Sequence, residues 1–179
     1  MNMQFFTRFF AAAGIMLALP AQADDTKSLV VALRGAAIGQ VRPVPRTPQG
    51  STQANCFDLQ LVDVRKGEII GTATDCLSDV TPEGNGTSLT ATTIFHFREG
   101  TLVSRGRTTV QPVSPTAAPS PATHITGSIP VPGSNEVLSG DGRFRGKAAT
   151  VRLSGAVDLS QLASANKIAF DCIFVIDFL

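Results

Sequence analysis

The groups in this chain that could do chemistry are few. They are three cysteines, two histidines, a glycine-spaced pair of arginines and two aspartates set within apolar strand patterns. The run "GDGRFRGKAATVRLSG", residues 140–155, carries glycines at 140, 142 and 146. A dinucleotide cradle needs G-x-G-x-x-G leading into a helix whose first amides face the phosphate. Here the last gap is one residue too long, and "KAATVRLSG" reads as a strand. The glycines therefore read as turn positions and points of close backbone approach. Arg143 and Arg145 read as surface cations beside that turn. No G-x-S-x-G elbow and no H-E-x-x-H helix is present, and His96 and His124 stand apart from any C-x-x-C, so no metal site is expected. His96, near the end of its strand, reads as a structural residue. That leaves Asp75 and Asp171 as candidate catalytic groups: either, turned inward beside an apolar cavity, would serve as general acid or base.

Cys56, Cys76 and Cys172 form an odd set, so one pair and one leftover thiol are expected if the chain meets an oxidising compartment. Folding "CFDLQLVDVRKGEIIGTATDC" about Lys66 sets Val64 against Glu68, Val62 against Ile70 and Cys56 against Cys76. Directly opposed residues at a non-hydrogen-bonded position lie near the separation a disulfide needs. The expected pair is Cys56–Cys76. A bulge at Gly67 would shift this register and favour Cys76–Cys172 instead.

The amino terminus has the pattern of a secretory signal peptide. Arg8 precedes the apolar run "FFAAAGIMLAL", which is too short to span a bilayer, and "PAQA" offers an A-x-A cleavage site. The mature chain is expected to start at Asp24, to be exported to the periplasm or beyond, and to form one domain over 24–179. Cleavage removes only Arg8 among the charges, leaving 14 basic and 14 acidic residues. That balance gives no electrostatic footprint for nucleic acid. The absence of Trp and Tyr argues against the aromatic girdles of an outer-membrane barrel, and no membrane span is expected.

Stepping along the chain, eight strand patterns appear: 28–35, two within 56–76, two within 88–110 turning at Glu99-Gly100, then 136–140, 147–155 and 167–178. A short helix fits 159–165, and no long helical pattern intervenes. Eight short strands joined by hairpins predict an all-β, closed antiparallel eight-stranded barrel, because closure removes exposed edges. The Pro-rich stretches 42–55 and 111–124 are expected as solvated loops within that domain. Alternation puts Phe57, Leu59, Leu61, Ile69, Ala73 and Leu77 on one face of the first hairpin. It groups Leu89, Ala91, Phe95 and Phe97 in the next. Phe57, Leu59, Phe95 and Phe97 are the expected contacts for an apolar ligand. The last strand is apolar on both faces, with Ile173 and Val175 opposite Phe170, Cys172, Phe174 and Ile176. The second face is expected to meet another subunit, in a homo-oligomer such as a trimer, or the 111–124 loop.

The strand ending in Cys76, the hairpin "LTATTIFHFREGTLVSRGRTT" and the run "ITGSIP…VLSGDGRFRGKAATVRLSG" resemble the allene oxide cyclase barrel-like and dirigent-like proteins. The resemblance covers most of the mature chain through motifs that are structural. It implies a small barrel with an apolar interior that confines a reactive substrate, without metal or organic cofactor, and that often associates into oligomers. The polar set of dirigent catalysis includes tyrosine, which this chain lacks, so neither family reaction is carried over. Two functions stand side by side. One is non-catalytic binding of an apolar small molecule. The other is a cofactor-independent cyclase or isomerase acting by confinement.

Overall fold

A computed structural model describes residues 28–47, 50–113, 123–129 and 135–179. The expected signal peptide and the cleavage point at Asp24 lie outside these residues. Among the described residues the strands are β1 (Ser28–Ile38), β2 (Gln40–Thr47), β3 (Gly50–Asp63), β4 (Ile69–Glu83), β5 (Gly86–Phe97), β6 (Gly100–Pro112), β7 (Thr123–Ser128), β8 (Glu136–Gly140), β9 (Ala149–Asp158) and β10 (Lys167–Phe178). The four-residue helix α1 (Leu162–Ala165) precedes β10. No helix among the described residues is long and apolar enough to cross a membrane.

These strands make a closed antiparallel barrel of eight staves. The order runs β1-β10-β9-β7-β6-β5-β4-β3, and β1 returns to pair with β3 through Val31↔Asp63 to Arg34↔Gln60. β7 and β8 share one stave, both lying between β6 and β9 and running in the same direction. β2 continues beyond β1 after Gly39 and pairs with the first half of β3. Two tight connections hold the central meander. Glu83↔Gly86 is closed by Gly84-Asn85, with Gly84 at φ 59°, the first-position requirement of a type II′ turn. Phe97↔Gly100 is closed by Arg98-Glu99, one residue earlier than the expected Glu99-Gly100.

Residues 42–47 and 50–55 are not loops, contrary to expectation. They pair as the antiparallel strands β2 and β3, since β2 pairs on one side only and Pro is tolerated on an open edge. The i, i+2 spacing of Pro43 and Pro45 puts both ring nitrogens on the same edge of β2. In the second Pro-rich stretch, Gln111 and Pro112 close β6 and Thr123 and His124 open β7; 114–122 lies outside the described residues.

Cys56 and Cys76 are directly opposed and form a disulfide. Cys172 is free and buried. The ladder does slip near the turn, where Val62 meets Ile69 rather than Ile70. The slip lies between the cysteines and the turn, so it leaves their pairing intact. It also reverses a face: Ile69 is 62% exposed, not inward with Leu77. Phe57, Leu59 and Leu61 point inward, so alternation puts the disulfide on the outer face. There Val44 and Ala54 of the β2–β3 hairpin bury it. Arg105 buttresses this cover, donating from Nη1 to Thr92 Oγ1 at 2.6 Å and from Nη2 to Asp79 Oδ2 at 3.1 Å.

The run 140–146 turns β8 into β9. Gly142 has φ 52°, and a Cβ there would collide with the Glu99 carbonyl. The short 3-10 turn Gly142–Phe144 drives the Phe144 side chain, fully buried, into one end of the barrel.

Candidate functional site

The interior divides along the barrel axis. At one end Phe144 packs on Phe97 at 5.1 Å and on Phe178 at 6.1 Å between ring centroids, and Phe95 meets Phe174 edge-on at 5.2 Å. Leu33, Leu61, Leu102 and Ile176, all fully buried, complete this plug. Toward the other end the inward positions shrink to Asp75, Ala91, Thr108, Thr126 and Cys172, and a cavity of about 210 Å³ remains. Larger apolar side chains surround it, among them Leu77, Leu89, Leu153, Ile168, Phe170 and Phe174. Val80 and Leu162 line the cavity and are themselves exposed, so they mark its mouth. Beside the mouth two asparagines tie the wall together. Asn55 Nδ2 donates to Asn166 Oδ1 at 2.7 Å, and Asn166 Nδ2 donates to the Gly39 carbonyl at 2.9 Å.

Asp75 is the lining residue of β4 nearest the packed end. Its side chain is 5% exposed and accepts a hydrogen bond from Thr93 Oγ1 to Oδ1 at 2.7 Å, across the β4–β5 ladder. Burial pushes its pKa up to about 6, against the smaller opposing effect of the Thr93 bond. Burial also lifts the Cys172 thiol to about 12, with the charges of Asp75 and Asp171 adding to it. Cys172 is therefore a neutral, weakly nucleophilic wall residue. The Thr108 and Thr126 hydroxyls lie 3.2 Å apart, and Thr108 also donates to the Gly127 carbonyl at 2.8 Å. Both are thus occupied within the wall.

The two aspartates singled out from sequence separate here. Asp75 faces the cavity. Asp171 points outward and pairs with Arg34 Nε at 2.9 Å, both side chains more than half exposed. Strand parity decides this, since Cys172 and Phe170 on either side of it line the interior. The four residues expected to contact an apolar ligand lie elsewhere in the interior. Phe57, Leu59, Phe95 and Phe97 do point inward, yet none lines the cavity. Phe95 and Phe97 belong to the plug, Phe57 packs at a tilt behind Phe170 with ring centroids 5.4 Å apart, and Leu59 packs in the core. Alternation gives the face of a residue but not its height along the axis. Arg143 covers the Phe144 ring at 4.7 Å, at the end away from the cavity. Among the described residues no cluster of three His, Cys, Asp or Glu is placed to hold a metal. Compared with known proteins, the chain matches no family profile and no curated protein.

Proposed function

We propose that this protein is an exported barrel that holds one small apolar molecule in its open end, with Asp75 as the polar contact. The observation that carries this reading is the cavity itself. Leaving about 210 Å³ unfilled forgoes up to about 5 kcal/mol of packing by the cavity-volume scale. Larger side chains in place of Ala91 or Thr108 would recover part of that. The opposite end of the same barrel is filled to core density by phenylalanine. Eight-stranded barrels are wide enough either to be packed solid or to hold one small ligand, and this chain does one at each end. The interior of the allene oxide cyclase barrel-like and dirigent-like proteins, which the sequence resembles, fits the same use.

The buried Cys56–Cys76 disulfide and the amino-terminal pattern support export, since such pairs persist in oxidising compartments. Mass analysis of exported material should give a terminus at Asp24. Exposed Val30 and Ile173 on the outer faces of β1 and β10 support self-association, which light scattering at high micromolar concentration checks. The test of the main reading is solvent extraction of protein purified from its export compartment, followed by mass spectrometry. A stoichiometric apolar molecule should be recovered from the wild type and lost in Ala91→Phe, which fills the cavity. Equal recovery from a folded Ala91→Phe would overturn the assignment.

A second reading is favoured by Asp75 alone. A carboxyl held at about 6 in an apolar cavity is suited to move a proton near neutral pH. In a cofactor-independent cyclase or isomerase it would be the acid–base group, the cavity walls setting the substrate's shape. Asp75→Asn would then abolish turnover while leaving binding in place.

A further inference from the structure

The chemistry of the ligand's polar end can be read from what does and does not surround Asp75. Oδ1 takes the Thr93 hydrogen bond, and Oδ2 takes none from a described residue. Among the described residues no arginine, lysine or histidine pairs with this carboxylate; the ion pairs join Arg34, Arg42, Arg105 and Arg152 to other aspartates. Among the described residues, the cavity lining contains no arginine, lysine or histidine. Its polar members besides Asp75 are Asn55, Thr87, Thr108, Thr126 and the neutral Cys172 thiol. Of these, Asn55, Thr108 and Thr126 already have partners in the wall.

We propose that the cavity takes a compact lipophilic amine, its ammonium seated against Asp75 and its hydrocarbon against Leu77, Leu89, Phe170 and Phe174. The inference rests on the reading of the open end as a ligand cavity and adds the charge of what enters it. A buried carboxylate without a counter-charge is costly, and a ligand that brings the cation removes that cost. A fatty acid would do the reverse, placing a second anion beside the first in a low dielectric. Neutral alcohols gain one hydrogen bond and no ion pairing, so they rank between the two. Size narrows the class further. A cavity of roughly 150 Å³ accepts benzene, and drug-sized ligands need roughly 300 Å³ or more. The present cavity, about 210 Å³, therefore suits a single ring with a short aminoalkyl arm.

From the elements packed around it, Asp75 meets Phe57 on β3, Thr93 on β5 and Cys172 on β10. Only Asp75 among these changes charge between pH 4 and 9. The test is calorimetric titration of the purified protein at pH 8 with three probes on one skeleton: 2-phenylethylamine, 2-phenylethanol and 3-phenylpropanoate. The amine should bind at least tenfold tighter than the alcohol, and the carboxylate weakest. Asp75→Asn should bring the amine down to the level of the alcohol while leaving the alcohol within about threefold. If the alcohol binds as tightly as the amine in the wild type, the charge assignment is overturned and the apolar cavity stands. If none of the three binds, the cavity reading falls with it.

Discussion

The two ends of this barrel share the same staves and the same alternation, yet they do different work. At the plugged end Phe95, Phe97, Phe144, Phe174 and Phe178 interlock, and no polar side chain is needed. At the open end small and polar residues occupy equivalent inward positions, and one of them is a carboxyl bonded to Thr93 with no counter-charge among the described residues. Close packing and open space are thus separated along one axis. The packed end can hold the wall in shape while the open end carries a group that would be unwelcome in a core.

The sharpest way to break that comparison is to hollow the plug. Phe144→Ala should cost about 3–5 kcal/mol in denaturant unfolding, because the ring is fully buried among other rings. Leu77→Ala, at the cavity wall, should cost less than half as much. Equal losses would mean that the ends are not energetically distinct.

Removing the disulfide by Cys56→Ala with Cys76→Ala should cost about 3 kcal/mol on the chain-entropy scale, for a sequence separation of 20. The loss should appear in unfolding with probe affinity retained, since the bridge lies outside the wall under Val44 and Ala54. Loss of binding in a still-folded variant would tie the two functions together after all.

Asp75 gives a pH-dependent contrast. Burial holds it at about 6 in the fold against 3.8 unperturbed, so the folded state retains its proton longer than the unfolded chain. The stability this confers is complete below about pH 4 and is lost as pH rises through 6. At pH 8 the ionised group then costs up to about 3 kcal/mol. Asp75→Asn should therefore raise stability at pH 8 by up to that amount and leave it unchanged at pH 4, measured by paired denaturant curves. A gain of the same size at both pH values would show that charge is not the cause.

Much of this arrangement was legible in the residue order. Alternation through "CFDLQLVDVRKGEIIGTATDC" paired Cys56 with Cys76, and the strand count gave an eight-stave barrel. Three features were hidden for physical reasons. The slip at Ile70 has no sequence mark, so strict alternation puts Ile69 on the inner face, whereas the fold exposes it. Pro43 and Pro45 look like strand breakers unless their strand is known to pair on one side only. The cavity escaped because height along the axis depends on stagger between staves, which alternation does not encode. Alternation groups Phe95 and Phe97 with Ala91 on one inward face, while only Ala91 of the three lines the cavity. A signal was available in retrospect: small inward residues on neighbouring strands mark where a barrel is left open.

The most direct test of the separation is methyl-resolved NMR with 2-phenylethylamine as the probe. Methyl signals of Leu77, Leu89, Val157 and Ile168 should shift on titration, while those of Leu33, Leu61, Leu102 and Ile176 stay within line width. Shifts confined to the second group, or spread evenly over both, would contradict a barrel that is built to be solid at one end and receptive at the other.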